Sequence, residues 1–250
     1  MYTLMLVIQF DGSGFYGFQR LTDPDKPTIQ EVFENKLLHL LGHKVGIYGS
    51  GRTDRGVHAL AARISFKVKD DRIPPEGVVR MLRDVLPDAI NITRWERVHN
   101  KYHPLSGITS KSYSYYMIFG RKIKTFYRNY IWNVMHDLNV DDMKDAASVF
   151  VGTKDFGSFS NGYYPPERRV KTIHRVRIMK VPGVNRGLVV RVSGSGFLHR
   201  MVRRMVGALV EVGQGRLTKD DLELILKDRN LKSSYKIAPA AGLYMARIKY

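Results

Sequence analysis

The sequence contains no cysteine, which excludes disulfide bonds, thiolate metal sites and a cysteine nucleophile. It also has no long apolar run of the kind that spans a membrane. No basic segment precedes the first apolar stretch, so we do not expect a signal peptide. None of the histidines stands at metal-ligand spacing with carboxylates. We therefore expect a soluble, cytoplasmic protein with no bound metal and no membrane contact.

Acidic residues are scarce beside basic ones. The chain has 23 Asp and Glu against 41 Lys and Arg, and its formal net charge is +18. Such an excess repels itself in the compact state unless a polyanion shares the surface, and nucleic acid is the commonest polyanion in a cell. A basic protein kept soluble by its charge is the alternative. A length of 250 residues with 44% hydrophobic residues allows one large or two modest folded domains.

Hydrophobic periodicity predicts an irregular mixture of strands and helices. Residues 43–58 are rich in glycine and predict a loop or a short interrupted strand. Strands are expected over residues 2–10, 60–68, 89–98, 112–119, 171–181, 188–192 and 243–250, with a hairpin across Pro182 and Gly183, and helices over residues 28–41, 74–86, 141–150, 197–212 and 218–226. Because the two types do not alternate strictly, the expected class is α+β rather than a doubly wound sheet. A crossing near residues 99–105 divides the chain into halves of residues 1–100 and 101–250.

The most informative stretch is residues 49–59, where Arg52, Asp54 and Arg55 stand among glycines and His58 follows. Glycines let a backbone turn sharply and approach a ligand closely. One aspartate held between two arginines is a candidate catalytic carboxylate. The alternative is a surface turn in which Asp54 caps a neighbouring amide and the arginines are solvated.

A second stretch, residues 193–206, predicts a glycine turn that leads into a helix. His199, Arg200, Arg203 and Arg204 are expected in the first two helical turns, where cations oppose the helix dipole. Such a concentration indicates an anion to be met, either a carboxylate or phosphates at the helix N-terminus. The alternative is a buried amphipathic helix whose arginines reach solvent.

Aromatic residues interleave with cations in two places, an arrangement that suits stacking on unpaired bases. The residues are Tyr113, Tyr115 and Tyr116 beside Lys111, and Phe15, Tyr16 and Phe18 beside Arg20. Burial in the core is the alternative, since most strand aromatics are buried. The chain has no phosphate-binding loop, nucleophile elbow or cofactor motif, so no cofactor is expected.

Taken together, these stretches resemble the TruA family of tRNA pseudouridine synthases. The matching segments run in family order through almost the whole chain: residues 10–13 (FDGS), 16–19 (YGFQ), 51–58 (GRTDRGVH), 102–103 (YH), 113 (Y), 155–159 (DFGSF), 171–173 (KTI), 196–203 (GFLHRMVR) and 242–244 (GLY). Two departures remove arginines: Tyr102-His103-Pro104-Leu105 replaces the usual Phe-His-Ala-Arg, and Lys111-Ser112 replaces Arg-Arg.

The resemblance implies a homodimeric enzyme that converts uridine to pseudouridine in the anticodon arm of tRNA, around positions 38 to 40, with no cofactor or catalytic metal. Each subunit would have two similar halves with mainly antiparallel sheets and flanking helices around a basic cleft. Asp54 would be the catalytic residue, Arg52 would assist base flipping, Tyr113 would stack on the base and Arg203 would pair with Asp54. Further RNA contacts are expected from Arg55, His58, Phe18, Gln19, Lys111, His199 and Arg200.

Residue chemistry leaves three roles open for Asp54: nucleophile at C1′, nucleophile at C6, or base toward the 2′ hydrogen. Two other functions compete with the synthase. A non-catalytic basic RNA-binding protein would explain the charge but not the isolated aspartate. A methyltransferase would need a glycine-rich cofactor loop after a strand, and none is convincing.

Overall fold

The computed structural model describes residues 1–69, 72–228 and 235–250. The chain divides into two compact units, Met1–Thr109 with Met245–Tyr250, and Ser110–Tyr244. The sequence placed this division between residues 100 and 101 and gave the C-terminal residues to the second half. Both units combine helices with mainly antiparallel strands, as the expected α+β class requires. Among the described residues, we find no helix with the length and hydropathy that a bilayer crossing demands.

The first unit is built around a sheet whose strands are β1 (Tyr2–Phe10), β2 (Tyr48–Gly49), β3 (His58–Val68), β4 (Ile90–Val98) and β10 (Leu243–Lys249), of which β10 begins in the second unit. Strand β1 pairs antiparallel with β3 on one side and β4 on the other. Leu4, Leu6 and Ile8 alternate along β1 and are fully buried, which gives the sheet its apolar face. Strand β2 pairs with β3, and β10 also lies beside β3.

Two helices of the first unit begin and end at predicted signals. Helix α1 (Ile29–Leu41) follows Thr28, whose side-chain oxygen accepts a hydrogen bond from the Glu31 N–H. Helix α2 (Pro75–Val85) starts at a proline and ends before Pro87. Proline is tolerated at the first helical position because a backbone N–H there would make no hydrogen bond within the helix. Their buried residues recur at helical spacing and are Ile29, Phe33 and Leu37 in α1, and Val78, Val79 and Leu82 in α2.

The strands of the second unit are β5 (Ser110–Phe119), β6 (Trp132–Val134), β7 (Gly152–Asp155), β8 (Val170–Lys180) and β9 (Gly187–Gly194). Their order in the sheet is β5-β9-β8-β7, all antiparallel, and β6 pairs parallel to β5. The hairpin predicted across Pro182 and Gly183 is confirmed, because β8 and β9 pair antiparallel on either side of that turn. The short strands β6 and β7 had no clear sequence signal.

The described part of the second unit also contains the helices α3 (Val140–Ala147), α4 (Pro166–Arg169), α5 (Met201–Gly213) and α6 (Lys219–Lys227). The predicted helix over residues 141–150 is shorter, since a 3₁₀ turn occupies Ser148–Phe150. The predicted start of a helix at residue 197 is wrong. Helix α5 begins at Met201, because Arg200 at its N-cap has a left-handed backbone with φ 60° and ψ 10°. His199 and Arg200 therefore precede the helix, while Arg203 and Arg204 lie in its first turn.

Candidate active site

The loop that carries Asp54 joins β2 to β3, and hydrogen bonds of its backbone hold it against residues 12–18. The Phe18 N–H donates to the Thr53 carbonyl at 3.1 Å, and the Gly56 N–H donates to the Phe15 carbonyl at 3.2 Å. Within the loop, the Val57 N–H donates to the Asp54 carbonyl at 3.1 Å. These three bonds fix the backbone on both sides of Asp54.

Two glycines make this close approach possible. Gly17 has a φ of +105°, and a Cβ at that position would stand 2.5 Å from the Thr53 carbonyl oxygen. A Cβ at Gly12 would stand 2.0 Å from the Val57 carbonyl oxygen. Both distances are far below ordinary van der Waals contact, so any larger residue would displace the Asp54 loop.

His58 is buried directly after the loop, where its ring anchors the start of the turn at Gly12. The ring Nδ1 accepts a hydrogen bond from the Gly12 N–H at 3.1 Å, and the Asp11 Oδ1 lies 3.2 Å from the same nitrogen. A neutral imidazole that accepts at Nδ1 carries its proton at Nε2, so the contact with Asp11 becomes an ion pair only when the ring is protonated. His58 therefore supports the loop from within the first unit.

The remaining first-unit candidates differ in exposure. Arg52, Arg55 and Gln19 are exposed, and the Arg55 guanidinium lies 4.1 Å from the centre of the Tyr16 ring, at cation–π distance. Phe18 is only 5% exposed. Its ring therefore packs inside the unit, and its effect on RNA would be indirect.

In the second unit, Tyr113 lies on β5 opposite Val192 of β9. The Tyr113 ring is buried and meets the Phe197 ring edge-to-face, with centroids 5.1 Å apart and an interplanar angle of 85°. This contact limits the rotation of the tyrosine ring. Lys111 lies two residues earlier, and burial lowers the pKa of its ammonium group.

The first turn of α5 presents Arg203 and Arg204 in fixed orientations. Arg203 Nε donates to the Ala238 carbonyl at 2.8 Å, while the Arg203 carbonyl accepts from the Ala238 N–H at 3.1 Å. Arg204 Nε donates to the Asn161 side-chain oxygen at 2.6 Å. The early positive charge that the sequence indicated at this helix is thus held by specific partners within the unit.

Asn161 is a positioning residue that the sequence analysis missed. Its N–H donates to the His199 carbonyl at 3.0 Å, and its carbonyl accepts from His199 Nδ1 at 2.6 Å. The His199 N–H also donates to the Tyr164 hydroxyl at 3.2 Å. Asn161 therefore fixes both His199 and Arg204. The Asn-Gly pair at residues 161–162 predicts a turn, but not the partners of that turn.

The candidate residues thus form two separately anchored groups. Arg52, Asp54, Arg55 and His58 belong to the first unit, whereas Tyr113, His199, Arg200 and Arg203 belong to the second. Within the described ranges, no group of three or more histidine or acidic side chains is arranged to hold a metal ion.

Comparison with known proteins agrees with the resemblance noted from the motifs. The sequence model of a family described as tRNA pseudouridine synthase matches residues 6–104 and 146–250. The chain belongs to this tRNA pseudouridine synthase family. Similar relatives are tRNA pseudouridine synthase A 2 of Bacillus cereus, 37% identical over 245 residues, and tRNA pseudouridine synthase A of Thermotoga petrophila, 35% identical over 245 residues. Each alignment covers 98% of this chain and 98% of the relative.

Among solved structures, one similar chain comes from the structure of an H/ACA RNP bound to a substrate RNA containing 2'-deoxyuridine. It is 14% identical with a TM-score of 0.36, and the alignment covers 82% of this chain and 53% of that one. This likeness is too distant to support an argument. Family membership makes the chain a tRNA pseudouridine synthase, an isomerase that acts on uridine in tRNA. Residues 105–145 lie outside the family match.

Proposed function

We propose that this synthase modifies uridines of the tRNA anticodon stem-loop, around positions 38 to 40, with Asp54 as its catalytic carboxylate. The observation that carries the proposal is the way the Asp54 loop is built. Gly12 and Gly17 admit close backbone contact, and main-chain hydrogen bonds flank Asp54 on both sides. A loop whose backbone is fixed on both sides of a residue keeps the Cα of that residue in one place, as a catalytic side chain requires.

The reaction breaks the bond from C1′ to N1 of uracil and forms a bond from C1′ to C5. Asp54 would act as nucleophile at C1′ or C6, or as base toward the 2′ hydrogen. The base must leave the helical stack first, which costs a few kcal/mol for unstacking. Arg52, exposed beside Asp54, would assist that flipping by filling the vacated space and pairing with phosphate.

The second group would hold the detached base. Tyr113, fixed by its edge-to-face contact with Phe197, would stack on the uracil and could remove the C5 proton after C–C bond formation. Arg203 would pair with the Asp54 carboxylate. Further contacts with RNA would come from Arg55, Gln19, Lys111, His199 and Arg200. Phe18 and His58 would support the Asp54 loop. We further propose that the enzyme works as a homodimer in the cytoplasm.

The decisive experiment replaces Asp54 with asparagine, which preserves shape and removes the charge. Isomerisation releases the hydrogen at C5, so a tRNA transcript with tritium at uridine C5 reports turnover directly. We expect Asp54→Asn to bind this tRNA as the wild type does and to release no tritium. Asp25→Asn, which removes an exposed carboxylate from a nearby segment, is the matched control and should remain fully active. Measurable turnover by Asp54→Asn would remove Asp54 from the catalytic role.

Two further measurements complete the test. Tyr113→Phe should keep tRNA affinity, and it should slow tritium release if the hydroxyl takes the C5 proton; full activity would limit Tyr113 to stacking. The target is found by mapping pseudouridine along one transcript, using carbodiimide adducts that stop reverse transcription. Modification outside the anticodon arm would contradict the proposed position while leaving the chemistry intact.

A further inference from the structure

The segment between β5 and β6 exposes aromatic rings and cations together. We call residues 121–130 the basic aromatic segment. Phe126 is 88% exposed, Tyr127 51% and Tyr130 37%. Arg121, Lys122, Lys124 and Arg128 in the same segment are exposed as well.

Acidic residues are absent from this part of the sequence. The chain has none between Glu96 and Asp137, and Asp137 itself pairs with Arg186. The positive charge of the basic aromatic segment is therefore not neutralised by neighbours in the sequence. A solitary exposed aromatic residue is ordinary. Three of them within five residues, interleaved with cations, present aromatic faces and positive charge together to solvent.

The backbone of the basic aromatic segment is nevertheless fixed. The Asn133 side chain donates to the Arg121 carbonyl at 2.7 Å and accepts from the Ile123 N–H at 3.0 Å. At the other end, the Tyr244 hydroxyl donates to the Tyr130 carbonyl at 2.9 Å. A 3₁₀ turn over Thr125–Tyr127 lies between these anchors. A surface that is ordered before binding loses less conformational entropy when a ligand arrives.

We propose that the basic aromatic segment is a second RNA-binding surface of this synthase, where Phe126 and Tyr127 stack on unpaired bases of tRNA and the four cations neutralise phosphates. Aromatic faces stack on any base, and cations beside them follow the nucleic acid backbone. The inference rests on tRNA as the substrate and not on the proposed role of Asp54. It assigns function to residues that lie outside the family match, which leaves out 105–145.

A second copy of the chain fits this surface less well than RNA does. A twofold interface places the same patch on both partners, so Arg121, Lys122, Lys124 and Arg128 would face an identical set of cations. RNA supplies both complementary features, negative charge and flat apolar faces. Charge complementarity therefore favours RNA as the occupant.

The test compares two RNA probes of equal nucleotide number: a tRNA transcript, which has unpaired loops, and a fully paired RNA duplex. Phe126→Ala should weaken tRNA binding by about 5-fold to 150-fold, the range for loss of one stacked base, and leave duplex binding unchanged. Leu224→Ala, which truncates another exposed apolar side chain in the same unit, is the matched control. Thermal melting checks that each variant is folded.

Charge removal should act on both probes. The double variant Lys122→Gln with Lys124→Gln should weaken binding of tRNA and duplex alike. It should also reduce the slope of log affinity against log salt by about 1.5, because each lost phosphate contact reduces that slope by about 0.7 to 0.9. Asn133→Ala keeps every exposed ring and cation of the segment but removes the side-chain hydrogen bonds to the backbone of Arg121 and Ile123. Its tRNA affinity should fall while its salt slope stays that of the wild type.

Two outcomes would overturn the inference. One is Phe126→Ala binding tRNA as tightly as Leu224→Ala does. The other is Phe126→Ala changing the oligomeric state in sedimentation without changing tRNA affinity, which would make the surface a subunit contact. The binding measurements need no turnover, so an error in the role of Asp54 would leave them unaffected.

Discussion

Replacement of Gly17 by alanine should disable the enzyme without removing any functional side chain. An added Cβ would stand 2.5 Å from the Thr53 carbonyl oxygen, where ordinary contact begins near 3.4 Å. The Thr53 peptide must therefore move by roughly 0.9 Å, and Asp54 is the next residue. Because φ at Gly17 is +105°, backbone strain adds about 1–2 kcal/mol to the overlap. We expect the free energy of unfolding to fall by about 2–4 kcal/mol.

The effect on catalysis should exceed the effect on RNA binding. A displacement of about 1 Å at a reacting group can reduce turnover by about 100-fold, whereas phosphate contacts by flexible arginines tolerate such a shift. Tritium release at saturating tRNA gives kcat, and filter binding gives the affinity. Gly14→Ala is the control, since Gly14 belongs to the same loop and a Cβ there would meet no atom within 4 Å.

The comparison between the two alanine variants decides the matter. If Gly17→Ala kept a kcat within about twofold of Gly14→Ala while both were folded, the Asp54 loop would not depend on this contact. The argument that backbone approach positions the carboxylate would then be wrong.

Three further predictions concern stability. Ser158→Ala should raise the melting temperature slightly, by the equivalent of about 1 kcal/mol, because the buried Ser158 hydroxyl has no hydrogen-bond partner within the described chain; a lower melting temperature would contradict this. Arg216→Ala should lower the free energy of unfolding in urea by about 1–2 kcal/mol, because it removes the ion-pair partner of the buried Glu211 carboxylate. The loss is limited because Arg216 itself is exposed to solvent, and an unchanged value would show that water replaces the pair. Burial raises the pKa of Tyr235 from 10.0 to about 12 in the folded state. The neutral hydroxyl therefore contributes about 3 kcal/mol to the free energy of unfolding below pH 10, and this contribution is lost as the pH rises toward 12. Tyr235→Phe should lose less stability than the wild type between pH 9 and 12, and equal losses would refute that assignment.

Local signals predicted the parts of the fold that depend on local physics. Helix α1 is confirmed because Thr28 and the apolar spacing of Phe33 and Leu37 act within a few residues of one another. The β8–β9 hairpin is confirmed because a proline-glycine turn separates two apolar strands. The predicted start of α5 was wrong because Arg200 adopts a left-handed backbone conformation that no sequence pattern indicates.

The candidate site was only partly predictable for the same reason. The motif around Asp54 was visible as a string of glycines and charges, but the role of Gly17 depends on a carbonyl at Thr53 that is remote in sequence. The sequence around Asn161 is not unusual in composition. Its importance comes from its hydrogen bonds to His199 and Arg204. Residue types thus revealed which chemistry was present, whereas the means of holding it in place required three-dimensional contacts.

A common device links these anchors. The Asp54 loop is held by main-chain hydrogen bonds to Phe15 and Phe18, and the basic aromatic segment is held by Asn133 through backbone groups. In both places the atoms that are held belong to the main chain of the segment, and the exposed Arg52 and Phe126 side chains take no part in these hydrogen bonds. Substitutions at the anchoring positions Gly17 and Asn133 should therefore alter function although every RNA-facing side chain is kept. Substitutions at exposed Arg52 or Phe126 should alter function without changing the stability of the fold. This opposite pattern separates positioning residues from contacting residues in a single set of variants.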